Sequence, residues 1–399
     1  MYEHRKSTVA IKVTNKDGSP AVGAKIRAKQ KTHEFLFGSN LFDAVAGYTP
    51  HEPEFIREKI GIMAELNNFA TLPFYWGRFE KEENNPDTNG RMKAAKYLKG
   101  LGLTVKGHPL CWHTSCAEWL LKYDDETILK KQLERIQREV SDFRGVINMW
   151  DVINEVVIMP IFDKYDNAVT RICNRYGQIP LVKAVFTAAR EANPNATLVL
   201  NDFNVSPAYA ELIERVLDAG TPIDVIGIQS HQHQGYWGKE KTLEVLERFK
   251  VFGLPLHFTE NTIISGELMP PHIEDLNDWK VEAWPTTPEG EARQAKEVVE
   301  MYETLFADPA VEAITTWDAA DNAWLHAPAG LLRVDNSRKP VYDELFSRIR
   351  REWLTDTTLV TDEAGVASLT GFRGEYEIDG ERFTLSKETA KSLFQLQRS

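Results

Sequence analysis

The run Val146-Ile147-Asn148-Met149-Trp150-Asp151-Val152-Ile153-Asn154-Glu155 is mostly apolar and ends on an amide and a carboxylic acid. It is too short for an ordinary helix and rich in β-branched and aromatic side chains. It therefore reads as a strand covered on both faces, with its polar groups delivered at one end. Similar runs recur on either side, and together they predict strands at 35–39, 68–72, 103–108, 146–154, 197–202, 225–230, 256–260 and 313–317.

Amphipathic segments fill the gaps, at 87–99, 125–143, 179–192, 207–219, 242–252, 288–306 and 340–353. Three of them begin with proline, at Pro207, Pro288 and Pro340, which suits a first helical turn. Eight strands alternating with helices predict an α/β fold of the (β/α)₈ TIM-barrel type. A doubly wound open sheet is the alternative. For a dinucleotide it would need a glycine-rich turn after its first strand, and Phe37-Gly38-Ser39-Asn40 is not one.

The two ends differ from the middle. Residues 8–13 and 24–29 alternate in polarity around Asp17-Gly18, and 357–360, 366–369, 375–378 and 382–385 read as short strands. Neither end is large enough to bury a core alone. The expected organisation is a barrel over 34–354 and an accessory β-sandwich assembled from 1–33 and 355–399. Two independent ribbons are the alternative. The aromatics of its C-terminal part are Phe372, Tyr376, Phe383 and Phe394, which its core is expected to use.

The 399 residues carry a formal charge of −12 and are 42% hydrophobic. That balance disfavours a nucleic-acid or anionic-membrane surface. No apolar run is long enough to span a bilayer. The start, Met1-Tyr2-Glu3-His4-Arg5-Lys6, lacks the apolar centre of a leader, so the chain as written is expected in the cytoplasm, or outside the cell if a leader was removed. Cys111, Cys116 and Cys173 are expected to be free thiols, and neither a metal nor a cofactor is expected.

In a barrel of this type the chemistry lies where strands end. Glu155 ends the fourth strand, and Glu260 is presented by Leu256-His257-Phe258-Thr259-Glu260-Asn261 at the end of the seventh. Two such carboxyl groups are the pair a retaining glycosidase needs, one to protonate the leaving oxygen and one to attack the sugar carbon. Around them the other strand ends bring His108, Trp112, His113, Asn154, Asn201, Asp202, Gln229, His231, His233, Trp317, Asp318, Asp321 and Trp324. Acids, amides, imidazoles and indoles around one mouth are the inventory for a sugar. The pair His231 and His233 also invites a metal-hydrolase reading, but it follows the sixth strand rather than the first. A carbohydrate-binding protein on an inactive barrel is a further alternative. It does not require both Glu residues with Asn154 beside one of them.

The segments Gly107-His108-Pro109-Leu110-Cys111-Trp112-His113, 150–155, Leu200-Asn201-Asp202-Phe203-Asn204, Ile228-Gln229-Ser230-His231, Thr259-Glu260 and 317–324 together resemble glycoside hydrolase family 10, the retaining endo-β-1,4-xylanases. The resemblance implies a carbohydrate substrate, Glu155 as acid/base and Glu260 as nucleophile. It also implies that Asn154 holds the sugar's 2-hydroxyl. His108, Gln229, His231 and Trp317 would shape that subsite, with Trp112 and Trp324 as stacking walls and Asp151 and His113 behind them.

Three departures from the family stand out. The family's Glu-Asn-x-x-Lys-Trp run after the second strand is here Thr71-Leu72-Pro73-Phe74-Tyr75-Trp76, which trades hydroxyl-binding groups for an apolar surface to which Tyr75 contributes. The Asp usual two residues after the nucleophile is Thr262. Residues 261–287 form a long connection with Trp279 and Trp284, of the length that is usually functional.

Overall fold

The computed structural model describes residues 2–398. It divides into two units, residues 37–304 with 310–341, and residues 2–36 with 305–309 and 342–398.

The first unit is organised by eight strands: Leu36–Asn40, Phe69–Pro73, Thr104–His108, Met149–Asn154, Thr197–Asp202, Val225–Ile228, Leu256–Ile263 and Val311–Thr316. Each pairs with its successor and the eighth pairs with the first, so the sheet closes into a (β/α)₈ barrel. Burial explains the apolar runs. Phe69–Pro73 and Leu256–Ile263 are buried at every position, since helices cover one face and the barrel interior fills the other. Register across the third and fourth strands sets Gly107 opposite Trp150. A Cβ on Gly107 would lie 2.2 Å from the Trp150 ring, so only glycine admits that indole.

Helices form where the periodicity predicted them, among them Thr88–Gly100, Asp125–Asp142, Gln178–Ala192, Pro207–Asp218 and Pro288–Ala307. The Asp124 and Ser206 side chains cap two of these at their N-termini. Three helices, Pro53–Leu66, the single turn Trp76–Phe79 and Ala168–Tyr176, lie outside the predicted set. The first had a legible signal: proline in its first turn and buried Ile60, Met63 and Leu66 at helical spacing. The last predicted helix is shorter as an α-helix, Pro340–Ser347, and continues as a π-helical turn over Arg348–Glu352.

In the second unit, Lys6–Thr14 lies between Val366–Phe372 and Leu393–Gln397 in a three-stranded sheet. Lys25–His33 lies between Asp356–Val360 and Gly374–Ile378 in a four-stranded sheet that ends on Glu381–Leu385. N-terminal and C-terminal segments thus share both sheets, with one core containing Val9, Ile11, Ile26, Leu369, Tyr376, Ile378 and Phe383. Phe394 is packed against that core, whereas Phe372 instead meets His33 edge-on and lies tilted to Phe306.

Candidate active site

Glu155 leaves the fourth strand with φ +58°, an unusual angle for a residue with a side chain. Its backbone N–H donates to the Asn201 carbonyl at 2.9 Å, which ties the strained residue to the fifth strand. The carboxylate is half-buried and takes three donors: Trp112 Nε1 on Oε2 at 2.9 Å, and Asn154 Nδ2 and Gln229 Nε2 on Oε1 at 3.1 Å each. Burial pushes this acid up to about 8. The negative charges of Asp202 and Glu260 add to the rise, and the Gln229 and Trp112 donors oppose it.

Glu260 lies within the seventh strand, which runs three residues past it, and is 4% exposed. Asn201 Nδ2 donates to its Oε1 at 2.8 Å, and His231 Nε2 lies 3.0 Å from its Oε2. Burial raises this carboxyl too, while the nearby His108 and Lys106 pull it down. Behind it, His108 Nδ1 and Lys106 Nζ each lie 2.7 Å from Asp151 Oδ2. Burial alone would raise the Asp151 carboxyl, but Lys106 and His108 together hold it below the usual range.

The two Glu residues are joined by amides. Asn154 Oδ1 accepts from Asn201 Nδ2 at 2.8 Å and from Gln229 Nε2 at 3.2 Å, while the same Asn201 Nδ2 reaches Glu260. Thr259 Oγ1 fixes the flip of Asn201 by donating to its Oδ1 at 2.6 Å. Every amide dipole is thereby oriented before any ligand arrives.

Aromatic rings wall the cup. Tyr75 meets His108 edge-on at 5.5 Å and lies 5.4 Å from Trp112. Trp317 is 5.2 Å from His108, and Trp324 is 4.8 Å from His231. His113 is packed between Trp112 and Phe162, at 6.0 and 4.5 Å. Trp76 behaves otherwise than an aligned sugar-binding Trp: it is buried, donates to Glu80 at 3.0 Å and sits under Arg135.

In the sequence Asn201 and Asp202 are legible only as polar residues near strand ends, and no role is legible for Lys106. Asp202 accepts from the Val157 and Asn204 backbones at 3.0 and 2.9 Å, steadying the turn that follows Glu155, and burial raises it to about 7. Phe42 went unnoticed because it sits past the first strand with no pattern around it; it meets both Tyr75 and Trp317. Asp321 instead serves the frame, through buried Lys339.

His233 is buried against Trp284 and Trp324, and His231 is engaged by Glu260 and Thr262. Among the described residues, no group of three His, Cys, Asp or Glu side chains is placed to hold a metal. All three cysteines are free thiols.

The long connection after the seventh strand carries a short 3₁₀ turn, Leu276–Asp278, and a small apolar core of Ile264, Met269, Trp284, Ala327 and Ala329. Between Trp279, Lys280 and Glu282 of this connection and Asn322, Trp324 and His326 lies a cleft of about 530 Å³. Asn322, Leu325 and His326 all hold positive φ, so the far wall is a strained turn.

The chain resembles the anti-sigma-I factor RsgI6 of Acetivibrio thermocellus, at 25% identity over 94% of this chain and 45% of that protein. It resembles endo-1,4-beta-xylanase C of Paenibacillus barcinonensis at 25% over 71% of this chain and 29% of that protein. The chain therefore spans less than half the length of these two relatives. Xylanase 10B of Thermotoga petrophila, solved with xylobiose, shares the fold at a TM-score of 0.65 and 20% identity, over 80% of this chain and 95% of that one. The model of glycosyl hydrolase family 10 matches residues 37–347, and with most of the chain inside that match, this protein belongs to glycosyl hydrolase family 10.

Proposed function

We propose that this chain is a retaining glycoside hydrolase. It cleaves β-linkages in xylan-like polysaccharide, or in oligosaccharides derived from it, through a glycosyl-enzyme ester. The observation that carries the reading is the amide network of Asn154, Gln229 and Asn201 joining a raised carboxylic acid, Glu155, to a buried carboxylate held by an imidazole, Glu260. Family membership and the names of the xylanase relatives support the substrate class.

In the first step a Glu260 oxygen attacks the anomeric carbon, the glycosidic C–O bond breaks, and the Glu155 proton passes to the leaving oxygen. In the second, Glu155 takes a proton from water, whose oxygen attacks the same carbon and releases the Glu260 carboxylate. Loss of the Glu260 charge in the ester makes the Glu155 proton easier to lose, so one residue serves both steps. Asn154 Nδ2 carries a second N–H, the donor for the 2-hydroxyl. Tyr75, Trp112, Trp317 and Trp324 supply flat apolar faces for the rings of the sugar.

Thr71 and Leu72 are fully buried in the second strand, and Tyr75 presents an aromatic edge where the family binds hydroxyls. This supports weak turnover of plain xylan and preference for a glycone that is shorter, less polar or differently decorated, which includes small-molecule β-glycosides. A panel of aryl β-xylosides, β-glucosides and β-cellobiosides separates these; equal neglect of every xylose donor removes xylan from the reading. Azide added to Glu260→Gly is expected to give the glycosyl azide of inverted configuration. Anomeric inversion by the unmutated enzyme would overturn double displacement, and wild-type turnover by Glu155→Ala and Glu260→Ala would overturn the assignment of both catalytic roles.

A further inference from the structure

Thr262 stands where the family usually carries Asp, and its single hydroxyl hydrogen faces two acceptors. Thr262 Oγ1 lies 2.9 Å from His231 Nδ1 and 3.1 Å from the Glu260 carbonyl oxygen. The other ring nitrogen, Nε2, lies 3.0 Å from Glu260 Oε2. The groups facing this imidazole are Glu260 and Thr262 from the seventh strand, His233 from its own segment, and Trp317 and Trp324 from beyond the eighth. Glu260 is the one carboxylate among them.

A neutral imidazole has one N–H, so the contacts admit two proton arrangements. If Thr262 donates to the Glu260 carbonyl, it must accept from Nδ1–H. Nε2 is then a bare acceptor facing Glu260, and the carboxyl has to be protonated to meet it. If Thr262 donates to Nδ1, the ring proton sits on Nε2 and is donated to an ionised Glu260. Only the second arrangement leaves a nucleophile.

We propose that Thr262 is a positioning residue: its hydroxyl donates to Nδ1 of His231 and selects the neutral tautomer whose Nε2–H holds the Glu260 carboxylate. The catalytic consequence rests on Glu260 being the nucleophile; the tautomer itself does not. A carboxylate at position 262 would draw a proton onto Nδ1 and make the ring cationic. A hydroxyl delivers the same Nε2–H to Glu260 from an uncharged ring. Buried in this setting, His231 is already pushed down to about 3, which suits a ring that stays neutral while the enzyme works.

The test is imidazole ¹⁵N NMR on the full chain labelled at histidine, with the His231 signals assigned by their loss in His231→Asn. At neutral pH the wild type is expected to show protonated Nε2 and bare Nδ1. Thr262→Val should shift that pattern toward Nδ1–H and lower kcat about tenfold with little change in KM, the effect of one oriented hydrogen bond. Thr262→Ser should restore both, and Thr262→Asp should give a doubly protonated ring. Finding Nδ1–H with bare Nε2 in the wild type, or a Thr262→Val spectrum and rate equal to wild type, would overturn the proposal. A correct tautomer in an enzyme that inverts the anomeric centre would instead remove the nucleophile and leave the Thr262 assignment standing.

Discussion

The Trp112 indole N–H donates to Glu155 Oε2 at 2.9 Å, so the ring that walls the cup also sets the charge of the acid. A donor stabilises the carboxylate and lowers its pKa. The proposed mechanism needs Glu155 protonated and Glu260 ionised, so kcat/KM should be bell-shaped in pH. It should fall above about pH 8 as Glu155 loses its proton. Below, it should fall as Glu260 gains one, at a pH higher than an ordinary carboxyl group would give. Trp112→Phe should move the basic limb further up. An unmoved basic limb in that variant would show that Glu155 does not set it.

Asp202 acts on the same acid with the opposite sign, because its negative charge raises Glu155. Asp202→Asn should move the basic limb to lower pH. It should also lower kcat, since an amide oxygen cannot accept both the Val157 and Asn204 N–H groups as a carboxylate does. Opposite shifts from Trp112→Phe and Asp202→Asn, measured on one substrate, would place both groups on Glu155.

The cleft between the long connection and the strained turn shares Trp324 with the cup. Trp279→Ala should raise KM for long oligosaccharides by about fivefold, the loss of about 1 kcal/mol of ring contact. An aryl β-xyloside, too short to reach Trp279, should be turned over as before. Equal losses on both substrates would assign Trp279 to folding instead.

Lys339 is fully buried, bonded to Asp321 and, at 2.8 Å, to Ser265 Oγ. Lys339→Met strands the Asp321 charge and should cost about 3 kcal/mol or more of stability, read as a lower urea midpoint. A midpoint equal to wild type would mean that Asp321 accepts a proton without penalty.

Much of this was legible along the chain. The apolar runs named the barrel because a strand covered on both faces has no polar face to alternate, and the amide and carboxyl groups at or near strand ends, Asn154, Glu155, Asn201 and Glu260, were legible as candidates for the chemistry. The helix Pro53–Leu66 is legible too, from the proline in its first turn and its apolar spacing. Strand Leu393–Gln397 had a weaker signal, since only Leu396 is fully buried and Phe394 partly so.

Sequence alone determined which residues are offered at the strand ends, because burial and period act through neighbours a few positions apart. Tertiary structure decided how protons and charges are shared among them. Asn201 reaches both Asn154 and Glu260 only because closing the barrel sets strands four, five and seven around one mouth. Thr262 came under His231 for the same reason. Hydrogen bonds are directional over about 3 Å, and no spacing in a linear sequence encodes a direction between residues thirty or more positions apart.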